Sequence, residues 1–302
     1  MSRQDNIYKN LRSQIGKISK HNRQGSYKTR ERYEQGVDRF CKFLAGSFGV
    51  QKFANISDKH IEKYVEDMQL RELSASTIKT DLAAIRFYFD KVARPRNQLA
   101  DNSRYTLERR TFGGVDRSWT KDEYKAFKEL SYSRGQDRIS EISTLARNEG
   151  LRIHETLRID RATVERALAT GELHVKGKGG KERDVPLSKE SLEILQKRIQ
   201  SVERGHKLYV AEGESTHLVI KQIQNFINRN REHFQDESRK ELKEGDEAIA
   251  KSITFHGLRH NYAQEQYQKA IDSGLSDYQA RLEVSRSLGH ERDDVTRIYL
   301  VK

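Results

Sequence analysis

Apolar residues recur at helical spacing over much of the first hundred residues. One series consists of Tyr33, Val37, Phe40 and Leu44. Their spacing of three or four residues places them on one face of a helix. The stretches 61–68 and 78–89 repeat the pattern, and a further helix is predicted over residues 97–109. None of these helices could bury its apolar face alone, so the sequence predicts a small helical bundle over residues 26–110.

The chain is strongly basic. Among its 302 residues, 57 are Lys or Arg and 45 are Asp or Glu, which gives a formal net charge of +12 and a pI of about 9.6. This balance favours a polyanionic partner. Residues 1–30 contain eight of the basic residues and one acidic residue, Asp5. We therefore predict a basic N-terminal arm over residues 1–25, which either contacts a nucleic-acid backbone or is a solvated leader.

Cysteine use and hydropathy bear on the compartment. The single cysteine, Cys41, cannot form an intramolecular disulfide, which is typical of a reducing compartment. No apolar run approaches the roughly 18 residues of a membrane span, and residues 1–10 lack the apolar segment of a signal peptide. The sequence therefore predicts a cytoplasmic protein without a membrane partner, associated with the nucleoid if its polyanionic partner is DNA.

A second domain begins after a change in composition. Paired arginines lie close to paired glycines at positions 109–114, which indicates a flexible linker over residues 111–118. Thr120 and Glu123 have the spacing of a capping box, so a helix is expected to begin there. The predicted second domain therefore covers residues 119–302.

Residues 172–187 interrupt the helical pattern of this second domain. Leu173 and Val175 alternate with polar residues, a glycine cluster follows, and Val185 and Leu187 alternate again. This arrangement predicts two short strands joined by a turn. The predicted fold class is mainly α with a small β-hairpin (α+β), divided into two domains.

Six residues of the second domain together suit a phosphodiester. They are two arginines, a lysine, two histidines and a tyrosine: Arg152, Lys178, His256, Arg259, His290 and Tyr299. A phosphodiester carries one negative charge and gains more in a five-coordinate transition state, which cations stabilise. A tyrosine hydroxyl can attack phosphorus, and histidine or lysine can move protons to and from the two oxygens. The set indicates DNA strand transfer through a phosphotyrosine.

Local spacing supports parts of this set. His256 and Arg259 are one helical turn apart, so their side chains project from one face. Lys178 lies in a glycine-rich hairpin tip, where a lysine can approach DNA closely. Spacing alone does not distinguish Lys178 from Lys176 or Lys181.

We predict neither a metal nor a cofactor. The eight remaining histidines do not cluster with cysteines or carboxylates at metal-ligand spacing and are expected to be structural or exposed. The sequence contains no phosphate-binding P-loop and no dinucleotide-binding fingerprint.

Four stretches, in this order, resemble the tyrosine recombinases, the family of phage integrases and Xer-type enzymes. They are residues 150–155, 175–187, 256–260 and 288–299. The resemblance implies a helical core-binding domain followed by a catalytic domain. It matches Arg152, Lys178, His256, Arg259, His290 and Tyr299 to catalytic positions, and it selects Lys178 among the three lysines of the hairpin. Three residues follow Tyr299 here, whereas many members continue into a helix that docks on a neighbouring subunit.

The resemblance implies a site-specific DNA recombinase that cleaves and rejoins DNA through a 3′-phosphotyrosyl intermediate. We expect it to integrate or excise a mobile element rather than to resolve chromosome dimers. The implied partners are double-stranded DNA, three further copies of the chain in a homotetramer on two sites, and an accessory factor that sets directionality. Neither ATP nor a metal is required. Two alternatives stay open: a type IB topoisomerase-like enzyme that relaxes DNA, and a non-catalytic, integrase-derived DNA-binding protein.

Overall fold

Two compact units make up the chain, residues Met1–Thr111 and Phe112–Lys302. The computed structural model describes residues 2–109, 115–177, 180–241, 253–290 and 296–300. The division between the units falls at the start of the predicted linker.

Four helices form the first unit: α1 (Arg3–His21), α2 (Tyr27–Ser47), α3 (Asp58–Leu70) and α4 (Ala75–Phe89). The predicted apolar faces are buried in one core, in which Val37, Phe40 and Leu44 of α2 are fully enclosed. The prediction of a helix over residues 97–109 is wrong, because only a 3-10 turn forms there, at Asn102–Arg104. The Asp101 side chain accepts a hydrogen bond from the Ser103 amide and begins this turn.

The N-terminal residues differ from the basic arm predicted over residues 1–25. They form the 19-residue helix α1, which begins at a capping box between Ser2 and Asp5. Ile7, Leu11 and Ile15 lie four residues apart and are buried in the same core as α2 and α4. The physical reason is that the basic residues occupy only the outer face of an amphipathic helix. This segment is therefore an integral part of the first unit.

The second unit is mainly helical and contains one small sheet. Its elements are α5 (Lys121–Ser133), α6 (Asp137–Asn148), α7 (Ile153–Thr156), α8 (Arg161–Thr170), β1 (Glu172–Lys176), β2 (Glu182–Pro186), α9 (Lys189–Arg198), α10 (Thr216–Asn230), α11 (Glu237–Glu241), α12 (Gly257–Asp272) and α13 (Asp277–Ser287). Strands β1 and β2 pair antiparallel, with Val175 opposite Arg183. The predicted fold class, mainly α with a small hairpin, is confirmed.

Local signals set the start of this unit. The predicted capping box is present: the Thr120 hydroxyl accepts from the Glu123 amide at 3.1 Å, and the Glu123 carboxylate accepts from the Thr120 amide at 2.8 Å. Just before it, Trp119 is buried, and its indole nitrogen donates to the carbonyl oxygen of Thr254 at 2.8 Å. The beginning of the unit is therefore tied to the residues that precede α12.

A separate apolar cluster joins α12, α13 and the terminal segment 296–300. Its buried members include Tyr267, Val284 and Tyr299, and Ile298 and Leu300 pack against it. These contacts dock the segment that carries Tyr299 onto its own chain. None of the helices in the described ranges combines the length and the apolar character that crossing a bilayer requires.

Candidate active site

Two arginines and one histidine converge in the second unit. Nη2 of Arg152 lies 2.9 Å from Nε2 of His290, and Nη2 of Arg259 lies 3.4 Å from the same nitrogen. A guanidinium can only donate hydrogen bonds, so Nε2 of His290 is the acceptor in both contacts. The imidazole of His290 is therefore neutral and carries its proton on Nδ1.

Backbone geometry brings these side chains together. Gly150 has a positive φ of 63°, and a Cβ at this position would collide with the ring of Tyr262. The tight turn at Gly150 leads directly into Arg152, which caps the N-terminus of α7. Arg259, in the first turn of α12, donates to the carbonyl oxygen of Gly150 and, at 2.6 Å, to that of Leu288. One buried guanidinium therefore fixes the loops before Arg152 and His290.

Glu155 holds the arginine side chains of the site in place. Its buried carboxylate accepts from Nη1 of Arg152 at 2.8 Å and from the Arg152 amide at 2.9 Å. Nη2 of Arg183 donates to the same carboxylate at 2.9 Å. Burial alone would raise the pKa of Glu155, but the hydrogen bonds and charges of Arg183 and Arg152 outweigh it and lower the pKa to about 2. Glu155 is thus an ionised partner of the arginines.

Aromatic rings surround the side chain of Tyr299. Its ring centroid lies 4.7 Å from that of His260 and 5.7 Å from those of His256 and His290. The guanidinium carbon of Arg259 lies 5.8 Å from the same centroid. The carbonyl oxygen of Tyr299 accepts from Nε2 of Gln264 at 3.3 Å. The phenol is thus placed beside the arginine–histidine cluster of its own chain.

All three histidines around the phenol have lowered pKa values. Burial and the neighbouring charges of Arg259 and Arg152 lower the pKa of His290 to about 4. The same causes lower the pKa of His256 to about 4, although this residue is more exposed to solvent than the other two. Burial, then the nearby His256, lowers the pKa of His260 to about 3. Near neutral pH these imidazoles are therefore uncharged.

The cluster is suited to an anion. Burial and the charge of Arg152 lower the pKa of Arg259 to about 10, so its guanidinium still carries a full charge at pH 7. Within the described residues, Nε of Arg259 and Nδ1 of His290 are buried donors without a partner. Buried donors usually have an acceptor, and charged donors form strong hydrogen bonds with phosphate oxygens. The geometry leaves a place for such an acceptor beside Tyr299.

Five of the six predicted site residues are brought together here: Arg152, His256, Arg259, His290 and Tyr299. Lys178 lies outside the described residues. Just before it, the Gly177 amide donates to the carbonyl oxygen of Lys181 at 2.6 Å, which closes the base of the hairpin tip. The catalytic roles of the six predicted site residues remain predictions.

Two residues that contact the site were not among the six predicted from the sequence. His260 was expected to be structural or exposed; it is buried, and its contact with the ring of Tyr299 was not predicted. Its position four residues after His256, on the same helical face, was the available signal. Arg183 was not singled out, although it reaches Glu155 from β2. No group of three or more histidine, cysteine or acidic residues within the described ranges could hold a metal ion.

Similarity to known proteins agrees with this geometry. The family model described as "Phage integrase, N-terminal" matches residues 8–99, and that described as "Phage integrase family" matches residues 118–302. Tyrosine recombinase XerC of Vibrio campbellii is 26% identical over 298 residues, which are 98% of this chain and 86% of that protein.

Two solved structures have a similar fold. One is a lambda integrase tetramer bound to a Holliday junction, with a TM-score of 0.61 and 18% identity, covering 96% of this chain and 76% of that one. The other is the Tn1549 transposon integrase in complex with transposon right end DNA, with a TM-score of 0.60 and 14% identity, covering 97% and 95%. The second family model alone spans more than half of the chain. The chain therefore belongs to the phage integrase family and is a tyrosine-type site-specific recombinase.

Proposed function

We propose that this recombinase cleaves double-stranded DNA with Tyr299 as its nucleophile, forms a 3′-phosphotyrosyl intermediate, and thereby integrates or excises a mobile element. The observation that carries the proposal is the meeting of Arg152, Arg259 and His290 beside the ring of Tyr299. A scissile phosphate placed at this point has cations on its nonbridging oxygens and a phenol beside it.

The electrostatics favour the transition state. When the phenolic oxygen attacks, negative charge builds on the nonbridging oxygens. Arg152 and Arg259 offer charged donors to these oxygens, and the free Nδ1–H of His290 offers a further one. Glu155 holds Arg152 in place, so little reorganisation is needed when the charge develops.

Two protons must move during cleavage. Tyr299 loses its proton as the new bond to phosphorus forms, and the uncharged His256, whose ring lies 5.7 Å from the Tyr299 ring, is placed to assist. The bond to the 5′-oxygen breaks, and Lys178 supplies the proton for that oxygen. Throughout cleavage, the negative charge on the nonbridging oxygens is stabilised by Arg152, Arg259 and His290.

Rejoining reverses the same chemistry. A 5′-hydroxyl from a partner strand attacks the phosphotyrosine, a new phosphodiester forms and Tyr299 recovers its proton. Each step exchanges one phosphoester bond for another, so no external energy source is needed. We propose that four copies act on two sites; the lambda integrase of similar fold forms a tetramer bound to a Holliday junction. The fold shared with a transposon integrase supports the mobile-element role, for which an accessory directionality factor is a further expected partner.

Covalent capture tests the proposal and defines the substrate. Purified protein is incubated with fragmented genomic DNA of its source organism, denatured and washed, and the DNA that stays attached is sequenced. We expect the wild-type protein to retain a discrete sequence, with a free 5′-hydroxyl at the break that a polynucleotide kinase can label. Tyr299→Phe should retain none, while still binding the captured sequence in a gel-shift assay.

The matched control is Tyr267→Phe, a buried tyrosine of the same apolar cluster whose hydroxyl donates to Asp277. This variant should form adducts normally. Adducts formed by Tyr299→Phe, or attachment through the 5′ end, would contradict the mechanism. Relaxation of supercoiled DNA without joining of two captured sites would instead favour a topoisomerase.

A further inference from the structure

We infer that Arg183 is a positioning residue: it fixes the β1–β2 hairpin, in whose sequence Lys178 lies, against α7 and the end of α13. The inference rests on the proposed role of Lys178 as the acid for the leaving oxygen. It concerns a residue that has no place in the six-residue set.

The guanidinium of Arg183 makes contacts to two other segments of the site. Its Nη2 and Nη1 atoms lie 2.9 Å and 3.3 Å from the two carboxylate oxygens of Glu155. Its Nε donates to the carbonyl oxygen of Ser287 at 3.0 Å. Only 11% of the side chain is exposed. A single planar group thus joins β2 to α7 and to the end of α13.

Both contacted segments carry catalytic groups. Glu155 also binds Arg152 through a salt bridge of 2.8 Å. Ser287 is followed by Leu288, Gly289 and His290. Gly289 has a φ of +69°, and a Cβ there would lie 3.2 Å from Cδ and Nη1 of Arg183. The Arg183 side chain therefore packs against Gly289, in the loop that leads to His290.

The hairpin depends on this contact near its tip. Below the Val175–Arg183 pair, the hairpin is held by the core, in which Leu173, Val175 and Val185 are buried. Between this pair and the tip lie one further cross-strand pair, Lys176 with Glu182, and the hydrogen bond from the Gly177 amide to the Lys181 carbonyl oxygen at 2.6 Å.

The side-chain contacts between Arg183 and the hairpin tip are more exposed than those of Arg183 itself. The salt bridge between Lys176 and Glu182 is exposed, with 61% and 50% of the two side chains accessible, and exposed pairs contribute little. Nη1 of Arg158 approaches the Lys176 carbonyl oxygen at 3.3 Å, also at the surface. Arg183 is therefore a buried side chain that ties the described part of the hairpin to α7 and to the end of α13.

The residue type matches this task. Arginine presents five donors in a rigid plane, and here three of its nitrogens reach a carboxylate and a carbonyl on different segments. Lysine would keep the charge and could pair with Glu155, but its single nitrogen could not hold both partners in the same orientation.

A sulfur-substituted substrate separates this positioning role from general loss of structure. In a duplex carrying the captured sequence, the bridging 5′-oxygen at the scissile phosphate is replaced by sulfur. The phosphorus–sulfur bond then breaks to release a thiolate. A thiolate can leave without taking up a proton in the transition state because it is a much weaker base than an alkoxide, the thiol pKa being about 8.5. A defect in protonating the leaving group is masked by sulfur, whereas a defect in binding the phosphate is not.

We expect Arg183→Met to cleave the oxygen substrate about 100-fold more slowly, since a misplacement of about 1 Å can cost that factor. Sulfur should restore at least about tenfold of this loss, and Lys178→Ala should behave in the same way. Arg183→Lys should show a smaller loss with the same recovery. The melting temperatures of both Arg183 variants are measured. If Arg183→Met does not fold, Arg183→Lys alone tests the positioning role.

Arg138→Met is the matched control, because Arg138 forms a salt bridge with Glu214 at 2.8 Å, at a more exposed position, and contacts none of the five site residues that the structure describes. It should cleave both substrates at the wild-type rate. If Arg183→Met or Arg183→Lys lost equal activity on both substrates, or none, while Lys178→Ala was rescued by sulfur, the inference about Arg183 would be wrong. If sulfur did not rescue Lys178→Ala, the proposed role of Lys178 would fall and this inference with it.

Discussion

Replacing Glu155 with glutamine removes one negative charge from beneath two arginines and nearly preserves the side-chain shape. The carboxylate is buried and accepts hydrogen bonds from Arg152 and Arg183. Glutamine keeps one oxygen acceptor but puts an amide donor against a guanidinium. We therefore expect Glu155→Gln to destabilise the second unit and to do so in a pH-dependent way.

The magnitude follows from the pKa of Glu155, which falls from an ordinary value of 4.5 to about 2. A difference of about 2.5 in pKa corresponds to about 3 kcal/mol of stability at pH 7. Removing one partner of a buried ion pair costs a similar amount, about 3–5 kcal/mol. A carboxylate with a lowered pKa stabilises the folded state fully above pH 4.5, and this contribution is lost as the pH falls through 2. At pH 3 about 1 kcal/mol should remain.

Urea unfolding measures this difference. The chain has one tryptophan, Trp119, which is buried in the second unit, so its fluorescence reports the unit that contains Glu155. The free energy of unfolding of the variant should lie about 3 kcal/mol below wild type at pH 7 and about 1 kcal/mol below it at pH 3. The control, Glu165→Gln, removes an exposed partner of Arg161 and should not change stability measurably. An equal difference at both pH values would refute the electrostatic account of Glu155.

Two further predictions concern packing. A Cβ at Gly257 would meet the carbonyl oxygen of Arg117 and lie 2.7 Å from the ring of Trp119, so Gly257→Ala should lose about 1–3 kcal/mol in urea unfolding. Gly46→Ala, in open space on α2, should be neutral or stabilising, and an equal loss for both variants would contradict the packing argument. Burial raises the pKa of the Cys41 thiol to about 12, so it should react with an aromatic disulfide reagent at pH 8 only after urea is added. Rapid reaction of the native protein would show that Cys41 is accessible.

Periodicity predicted the helices of the first unit because it is a local property. Phe40 and Leu44 point to one side of α2 whatever packs against them, so spacing alone identifies them as core. Ile7, Leu11 and Ile15 follow the same rule, whereas the density of basic residues around them predicts a solvated arm. Charge density describes the outer face of a helix and says nothing about its inner face.

The site was predictable only in part, because its contacts span long distances in sequence. The spacing of His256 and Arg259 predicts that they share one helical face. It does not predict that Arg259 reaches the carbonyl of Gly150, 109 positions earlier. The family resemblance supplied that grouping. It did not supply the pair between Arg183 and Glu155, 28 positions apart, which depends on how the hairpin packs against α7.

Arg259 binds two main-chain carbonyls, those of Gly150 and Leu288, from a fully enclosed position. Its guanidinium therefore works as an internal brace before any DNA arrives. A lysine here would keep a positive charge, yet one ammonium could not span both carbonyls in the same plane. The protein thus requires arginine at position 259 for its architecture as much as for its chemistry, and substitutions there report on both at once.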